Sequence, residues 1–313
     1  YTTLFRSGKT SKKDNPALDI LRKIWANKHK NGTRSYAQYE FRKYEKFELG
    51  LDGIDSSVLR NPLLKGMEFI LDYADSSKLA GRNYLPFFIN ESVYKIYGDN
   101  AANLQREDLL GNRNSGFNEN HNLIEAVRDL YDEYDIYDNY LKIYNKSFVS
   151  PLSTTGIHNY NYVLADSAYL DNKWCYQIIY YPRRKNELTF KGDFWVNDTS
   201  WAVKKINLQS TEGANINWVR SLEMRQEYEM LNDSVFLISK DEFTANFSME
   251  SNPESRGLIA SRSSTFKDYQ FNKARARKFY SNRVFRFREE IYKRDSLFWE
   301  NQRTEELSRR EEE

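Results

Sequence analysis

The hydrophobic period changes near Ser147, and no other feature of this chain limits its fold as much. Before that point apolar residues recur at helical spacing in three stretches. After it they come in short segments of period two, separated by turn chemistry. Tyr160, Tyr162 and Leu164 alternate, and Cys175–Tyr181 reads as a buried strand. Leu188–Val196 and Trp201–Leu208 flank the turn residues Asn197-Asp198-Thr199-Ser200. Met224–Met230 and Val235–Ser239 flank Leu231-Asn232-Asp233, and Asp241–Met249 continues the run. A period of two places side chains alternately on the two faces of a sheet, and short polar turns join antiparallel neighbours. Helices first and consecutive hairpins later predict an α+β domain built on an antiparallel sheet.

The helical part begins with a defined start. Asn15 can cap, Pro16 suits the first turn, and Asp19 lies where the helix dipole favours an acid. Ala17, Leu18, Leu21, Ile24 and Trp25 then share a face, so a helix is expected over Pro16–Lys28, stopped by Asn31-Gly32. Tyr36–Leu49 interleaves aromatics with charge, as a half-buried strand does, with one phase slip near Lys43 that suggests a bulge. Asn61-Pro62 opens a second helical pattern through Leu63, Met67, Ile70, Leu71 and Ala74, although Phe69, Leu71 and Tyr73 also alternate. Leu85–Ile89 reads as a strand and Gly98–Asn118 as a loop. Asn120–Leu141 reads as a third helix with Leu123, Val127, Leu130, Tyr134, Tyr137 and Leu141 on its stripe. Beyond Asn252-Pro253 the chain is rich in Ser and Arg. A basic run, Lys273–Lys278, leads into a connector helix over Arg283–Glu300, and the charged end Glu305–Glu313 frays. The expected divisions are 1–13 as the end of a preceding domain plus linker, 14–270 as the α+β domain, and 271–313 as connector helix and charged tail.

Composition then removes whole classes of function. Lys+Arg is 47 and Asp+Glu 45, for a net charge of +2, too small for the single-sign field that nucleic acid binding needs. With 40% hydrophobic and 15% aromatic residues the chain can bury a core. A single cysteine, Cys175, rules out an intrachain disulfide and a multi-thiolate metal site. His29, His121 and His158 are not at metal-ligand spacing, and Cys175 sits in an apolar strand where a thiol is a poor nucleophile. Asp132, Glu133 and Asp135 read as a solvated helix face. No phosphate-loop, dinucleotide or Gly-x-Ser-x-Gly pattern is present. The expectation is therefore no enzyme, no cofactor and no metal. No apolar run is long enough to span a bilayer as a helix. The opening at Tyr1 without a charged-then-apolar leader reads as part of a longer protein.

A set of short strings in order carries a family resemblance. They are Asn15-Pro16-Ala17 with Ile20-Leu21-Arg22-Lys23-Ile24; Tyr36–Phe47; Leu85-Pro86-Phe87-Phe88-Ile89-Asn90-Glu91-Ser92; and Ile136-Tyr137-Asp138-Asn139. Ser147-Phe148-Val149-Ser150-Pro151-Leu152, Tyr181-Pro182-Arg183-Arg184, Phe190-Lys191-Gly192 and Asn215-Ile216-Asn217-Trp218-Val219 follow, then Phe298-Trp299 with Arg303 and Leu307. Together they resemble the Bacteroidota outer-membrane proteins that join a carboxypeptidase-regulatory-like domain, a soluble domain of unknown function and a C-terminal β-barrel. This chain would be the middle domain, with Thr2–Phe5 closing a sandwich before it and the barrel after it. The resemblance implies no catalytic residues. Phe190-x-Gly192 with Val196-Asn197-Asp198-Thr199 and Trp201–Ile206 is similar to the lipoprotein-carrier half-barrel, in which a curled antiparallel sheet packs with two or three helices. Gly192 there would let the sheet bend.

Three functions follow as expectations. The first is a non-enzymatic module on the periplasmic side of the outer membrane, binding, scaffolding or gating with outer-membrane proteins or lipoproteins. The second is lipid or lipoprotein binding on the concave face. The third, an envelope hydrolase, has least behind it. The basic run Lys273–Lys278 reads either as a solvated connector or as a contact with anionic headgroups, and the aromatics after it either as core or as a docking helix. In the contact reading the residues at the membrane or barrel are Lys273, Arg275, Arg277, Lys278, Phe287 and Trp299, because cations paired with large aromatics suit a wet interface.

Overall fold

The computed structural model describes residues 15–52, 75–76, 83–116, 132–211, 219–231, 235–248, 257–281 and 289–303. Helix α1 spans Pro16–Asn27. The strands are β1 Gln38–Asp52, β2 Asp75–Ser76, β3 Asn83–Asp99, β4 Leu104–Gly116, β5 Tyr140–Ile143, β6 Lys146–Val149 and β7 Tyr160–Leu170. They continue as β8 Lys173–Pro182, β9 Phe190–Asn197, β10 Val203–Ser210, β11 Val219–Leu231, β12 Val235–Ser248 and β13 Gly257–Phe271. Three short helices follow: α2 Arg277–Ser281, α3 Glu289–Tyr292 and α4 Ser296–Gln302. The sheet order is β2-β3-β1-β13-β12-β11-β10-β9-β8-β7 with β4 on β3, and β5–β6 form a separate hairpin. Each pair whose register is described is antiparallel. A large antiparallel sheet with a few helices is the architecture expected from the change of period.

The chain divides into two compact units that interleave in sequence. Unit 1 comprises Tyr1–Ser35, Asp132–Asn217 and Leu222–Ile238, and unit 2 Tyr36–Tyr131, Trp218–Ser221 and Ser239–Glu313.

In unit 1 the register stacks Tyr162 beside Tyr180, Leu164 beside Ile178, and Ile178 beside Phe194. Tyr160, Tyr162, Ile178, Tyr180, Phe194 and Ile206 are all buried, whereas Val163, Ile179 and Tyr181 point to the other face and are exposed. Helix α1 buries Ala17, Ile20, Leu21 and Ile24 and packs on β7. Its cap works in two directions: Asn15 accepts from the Ala17 N–H at 3.0 Å and donates to the Tyr162 carbonyl at 2.9 Å. The Tyr160 hydroxyl donates to Val149 at 2.5 Å and accepts from the Phe190 N–H at 3.0 Å, while that of Tyr162 donates to Pro151 at 2.7 Å. These bonds tie the segment after β6 to the sheet and satisfy hydroxyls that burial would otherwise penalise. The Tyr180 hydroxyl reaches across β9 to the Asn207 carbonyl on β10 at 2.5 Å. It passes over Gly192, where a Cβ would lie 2.0 Å from that same carbonyl oxygen. Gly192 is thus required by close approach.

In unit 2, β1 lies between β3 and β13, with Glu45 opposite Ser92 on one side and Ser264 on the other. The bulge expected near Lys43 falls between Glu40 and Arg42 against β13. One buried face of this sheet carries charge: Lys43 pairs with Glu45 at 3.3 Å, Ser264 donates to Glu45 at 3.3 Å, and Arg262 pairs with Asp241. The Ser/Arg-rich sequence that carries Arg262 and Ser264 is strand β13.

Three expectations are corrected. Gly98–Asn118 is no loop, because Leu104–Gly116 is β4, paired along β3 from Asp99↔Leu104 to Phe88↔Gly116. Among the described residues β4 pairs with β3 alone, and a strand at such an edge pairs through its backbone and needs no apolar alternation, so its polar sequence hid it. The helix expected over Asn120–Leu141 does not reach Leu141. Residues 132–139 are non-helical and β5 starts at Tyr140. The Asp135 side chain accepts the Tyr137 N–H at 2.8 Å, a local turn that competes with helix. Tyr134, Tyr137 and Leu141 are nonetheless buried. The described part of the connector is not one helix: it breaks between α3 and α4, where Asp295 caps by accepting the Phe298 N–H at 2.9 Å. The helical pattern at Asn61–Ala74, the strand at Thr2–Phe5 and residues 120–131 of the third pattern lie outside the described residues.

Candidate interaction site

The basic run leaves β13 and enters α2, and its four cations do not behave alike. The Arg275 guanidinium meets Glu40 at 2.5 Å. Lys273 reaches the same carboxylate at 3.6 Å and Lys95 from β3 at 3.5 Å. Burial alone would raise the Glu40 pKa, but the Arg275 hydrogen bond and the charges of Lys95, Arg275 and Lys273 bring it below the usual carboxylate value. The same guanidinium lies 4.7 Å from the Tyr97 ring centre and 4.6 Å from that of Phe279. Arg106 sits 4.4 Å from the Phe279 ring and donates to its carbonyl at 2.8 Å. Arg275 therefore spends its charge within unit 2, while Lys273 stays exposed at the edge of the same carboxylate. Arg277 and Lys278 on α2 are exposed. Phe287 lies outside the described residues.

Trp299, expected at an interface, is instead 2% exposed and packs with Tyr44 and Val93, with Leu110 and Phe298 beside them. Next to it Glu91, buried, forms a second ionic site of unit 2. Arg303 approaches it with two bonds of 2.7 and 2.8 Å, Arg113 pairs at 2.7 Å, and the Tyr44 hydroxyl donates at 2.7 Å. Burial works to raise the Glu91 pKa, yet the hydrogen bonds from Arg303 and Tyr44 and the charges of Arg303 and Arg113 hold it low. Both partner arginines and the tyrosine are explained by holding α4 on β1, β3 and β4.

The residues weighed for chemistry are scattered. His29 and His158 are exposed on separate one-turn 3-10 helices, and His121 lies outside the described residues. Cys175 is fully buried, and burial pushes its thiol pKa up, against a hydrogen bond with Asn197. Asp132 and Glu133 are exposed, while Asp135 pairs with Arg34 at 2.6 Å. Among the described residues no group of three or more His, Cys, Asp or Glu could hold a metal ion, and no helix is long and apolar enough to cross a membrane.

Sequence reading missed the outward face of β7 and β8. Val163 and Ile179 are register partners there, 45% and 41% exposed, and Tyr181 beside them is 47% exposed. The signal was present: Trp174–Tyr181 is apolar on both phases of its period, so half of it cannot face the core of a sheet with one buried face.

The model of a family of unknown function (DUF5686) matches residues 20–253. No curated protein matches the chain. Among solved structures the chain is similar to a domain assigned to outer membrane lipoprotein sorting from Vibrio parahaemolyticus, at 10% identity and a TM-score of 0.32, covering 84% of this chain and 97% of that one. A DUF1329 family protein from Desulfovibrio piger shows 7% identity and a TM-score of 0.32, with 85% and 97% covered. A LolA superfamily protein from Nitrosomonas europaea shows 9% identity and a TM-score of 0.27, with 84% and 96% covered.

Proposed function

The chain belongs to DUF5686, a family of unknown function, and from that premise we propose that it is a non-catalytic binding or scaffolding module of the cell envelope. It works on the periplasmic side of the outer membrane, against outer-membrane proteins or lipoproteins. One observation carries this reading. The core face of unit 1 is filled by its own tyrosines, Phe194 and the residues around them, while Val163, Ile179 and Tyr181 stay exposed on the opposite face. Apolar side chains grouped outside a filled core are what a partner surface covers. Arg277 and Lys278, whose charge is directed outward, are offered to the membrane or barrel side.

A photo-crosslinking residue at position 179, introduced into the full-length protein in its own cells, tests the reading. The expected result is a discrete adduct with an envelope protein, lost when Val163 and Tyr181 are changed to Ser. Adducts equal to those from position 146, the exposed first residue of β6, would show that the β7–β8 face is not a contact.

A further inference from the structure

Unit 1 carries a second group of aromatics, at one end of its strands and away from the Val163–Ile179 strip. The β7–β8 turn, Asp171-Asn172, has φ of +48° and +60°, the two left-handed residues of a tight hairpin. It is flanked by Tyr169 and Trp174, whose rings meet edge to face at 4.9 Å, with Tyr169 71% exposed. The neighbouring turn between β9 and β10 presents Trp201, parallel to Tyr176 at 6.4 Å between ring centres. The two turns are joined: the Trp174 carbonyl accepts from the Asp198 N–H at 3.0 Å and from the Asn197 side chain at 3.2 Å. Lys204 pairs with Asp171 at 2.6 Å.

Trp201 is held in an unusual backbone. Its φ is +58°, a left-handed conformation that a bulky side chain rarely adopts. The turn imposes it. Asn197 Oδ1 accepts from the N–H groups of Thr199 and Ser200 at 3.2 and 2.9 Å, and the Trp201 N–H donates to the Asn197 carbonyl at 3.1 Å. The Lys23 ammonium of α1 lies 4.1 Å over the indole. Strain retained at one residue, and spent on aiming a half-exposed ring, points to a use outside the core.

We propose that this corner is a lipid-interface contact: Tyr169, Trp174, Tyr176 and Trp201 seat in the headgroup region of a bilayer, with Lys23 at a headgroup phosphate. Each ring combines an apolar body with a polar tip, the composition that settles where one side is apolar and the other wet. Trp201 stands on its turn, and Tyr169, Trp174 and Tyr176 stand at the ends of β7 and β8 next to theirs, so the rings gather at one end of the strands, where a bilayer surface can meet them together. Lys23 supplies charge complementary to phosphate, and its stem can lie along the Trp201 ring. The contact is independent of the crosslinking face proposed above.

The full chain is mixed with phosphatidylethanolamine–phosphatidylglycerol vesicles and sedimented at low and at high salt, with tryptophan emission recorded. The expected result is co-sedimentation that persists at high salt, with emission shifted to the blue and quenched by brominated acyl chains. Tyr169→Ser with Trp174→Ser should weaken partitioning roughly tenfold per ring. Tyr169→Ser alone removes a ring that is mostly in water and so keeps the fold; it should still weaken binding. Tyr292→Ser, an exposed ring of unit 2, should leave binding unchanged. The proposal is overturned by a wild type that stays in the supernatant at every salt concentration. It is overturned equally by binding that vanishes at high salt, or by variants that bind like wild type.

Discussion

At the scale of single residues, unit 1 is held by tyrosine hydroxyls that reach backbone carbonyls across strands. The geometry over Gly192 makes this testable. Gly192→Ala places a methyl 2.0 Å from the Asn207 oxygen, a backbone atom that cannot step aside. It should destabilise by about 1–3 kcal/mol or more in a denaturant melt. Tyr180→Phe keeps the ring but leaves the Asn207 carbonyl without that hydroxyl, and should cost about 1 kcal/mol. Glu91 makes the corresponding pH prediction in unit 2. Its pKa is lowered on folding, so its contribution is present above the ordinary carboxylate range and is lost as pH falls through the lowered value. Titrating the protein downward should therefore loosen the packing of Trp299 below the ordinary range, read by near-ultraviolet circular dichroism. Glu91→Gln should be less stable at neutral pH and should show a shallower acid loss.

At the scale of elements, two segments are decided by what they dock on. Helix α1 has its own start signal, but Asn15 also binds the Tyr162 carbonyl on β7. Asn15→Ala should therefore cost about 1 kcal/mol for the cap alone, and Asn15→Asp, which keeps the acceptor but loses the donor, should recover only part of it. Helix α4 has only the residues Ser296–Gln302, too few to be stable alone. Trp299 on β1 and β3, and Arg303 on Glu91, hold it in place. Trp299→Ala should cost about 3–5 kcal/mol, and protease should then cut within 289–303 before it cuts the strands. Arg303→Ala should open the same segment less. Cleavage of the strands first would show that α4 is not held in this way.

At the scale of the whole molecule, each unit has strands paired on both sides and strands paired on one. In unit 2, β1 is covered by β3 and β13, whereas β4 pairs with β3 alone among the described residues. In unit 1, β9 lies between β8 and β10 with Phe194–Asn197 buried, whereas among the described residues β7 pairs with β8 alone. Native-state hydrogen exchange should be slowest in β1 and β9 and fastest in β4 and in the Asp166–Leu170 end of β7. Equal protection across all four strands would contradict this.

What the sequence by itself determined is everything that short-range chemistry controls. Asn15-Pro16 starts a helix because cap and ring act within one turn. Asn197–Ser200 makes a hairpin because Asn side chains bond their own backbone, and alternation from Tyr160 onward makes a sheet because the pleat has a period of two. Tertiary structure alone decided the rest. Polar β4 is a strand because β3 offers it a backbone partner. Tyr134, Tyr137 and Leu141 mimic a helical stripe and are buried through a turn and a strand. Arg275 reads as an outward cation until Glu40, more than two hundred residues earlier, is brought against it. Trp299 read as an interface anchor until Tyr44 and Val93 closed over it. Charge and apolarity in a sequence say that a side chain needs a partner, and only the fold says whether that partner lies within the chain or outside it.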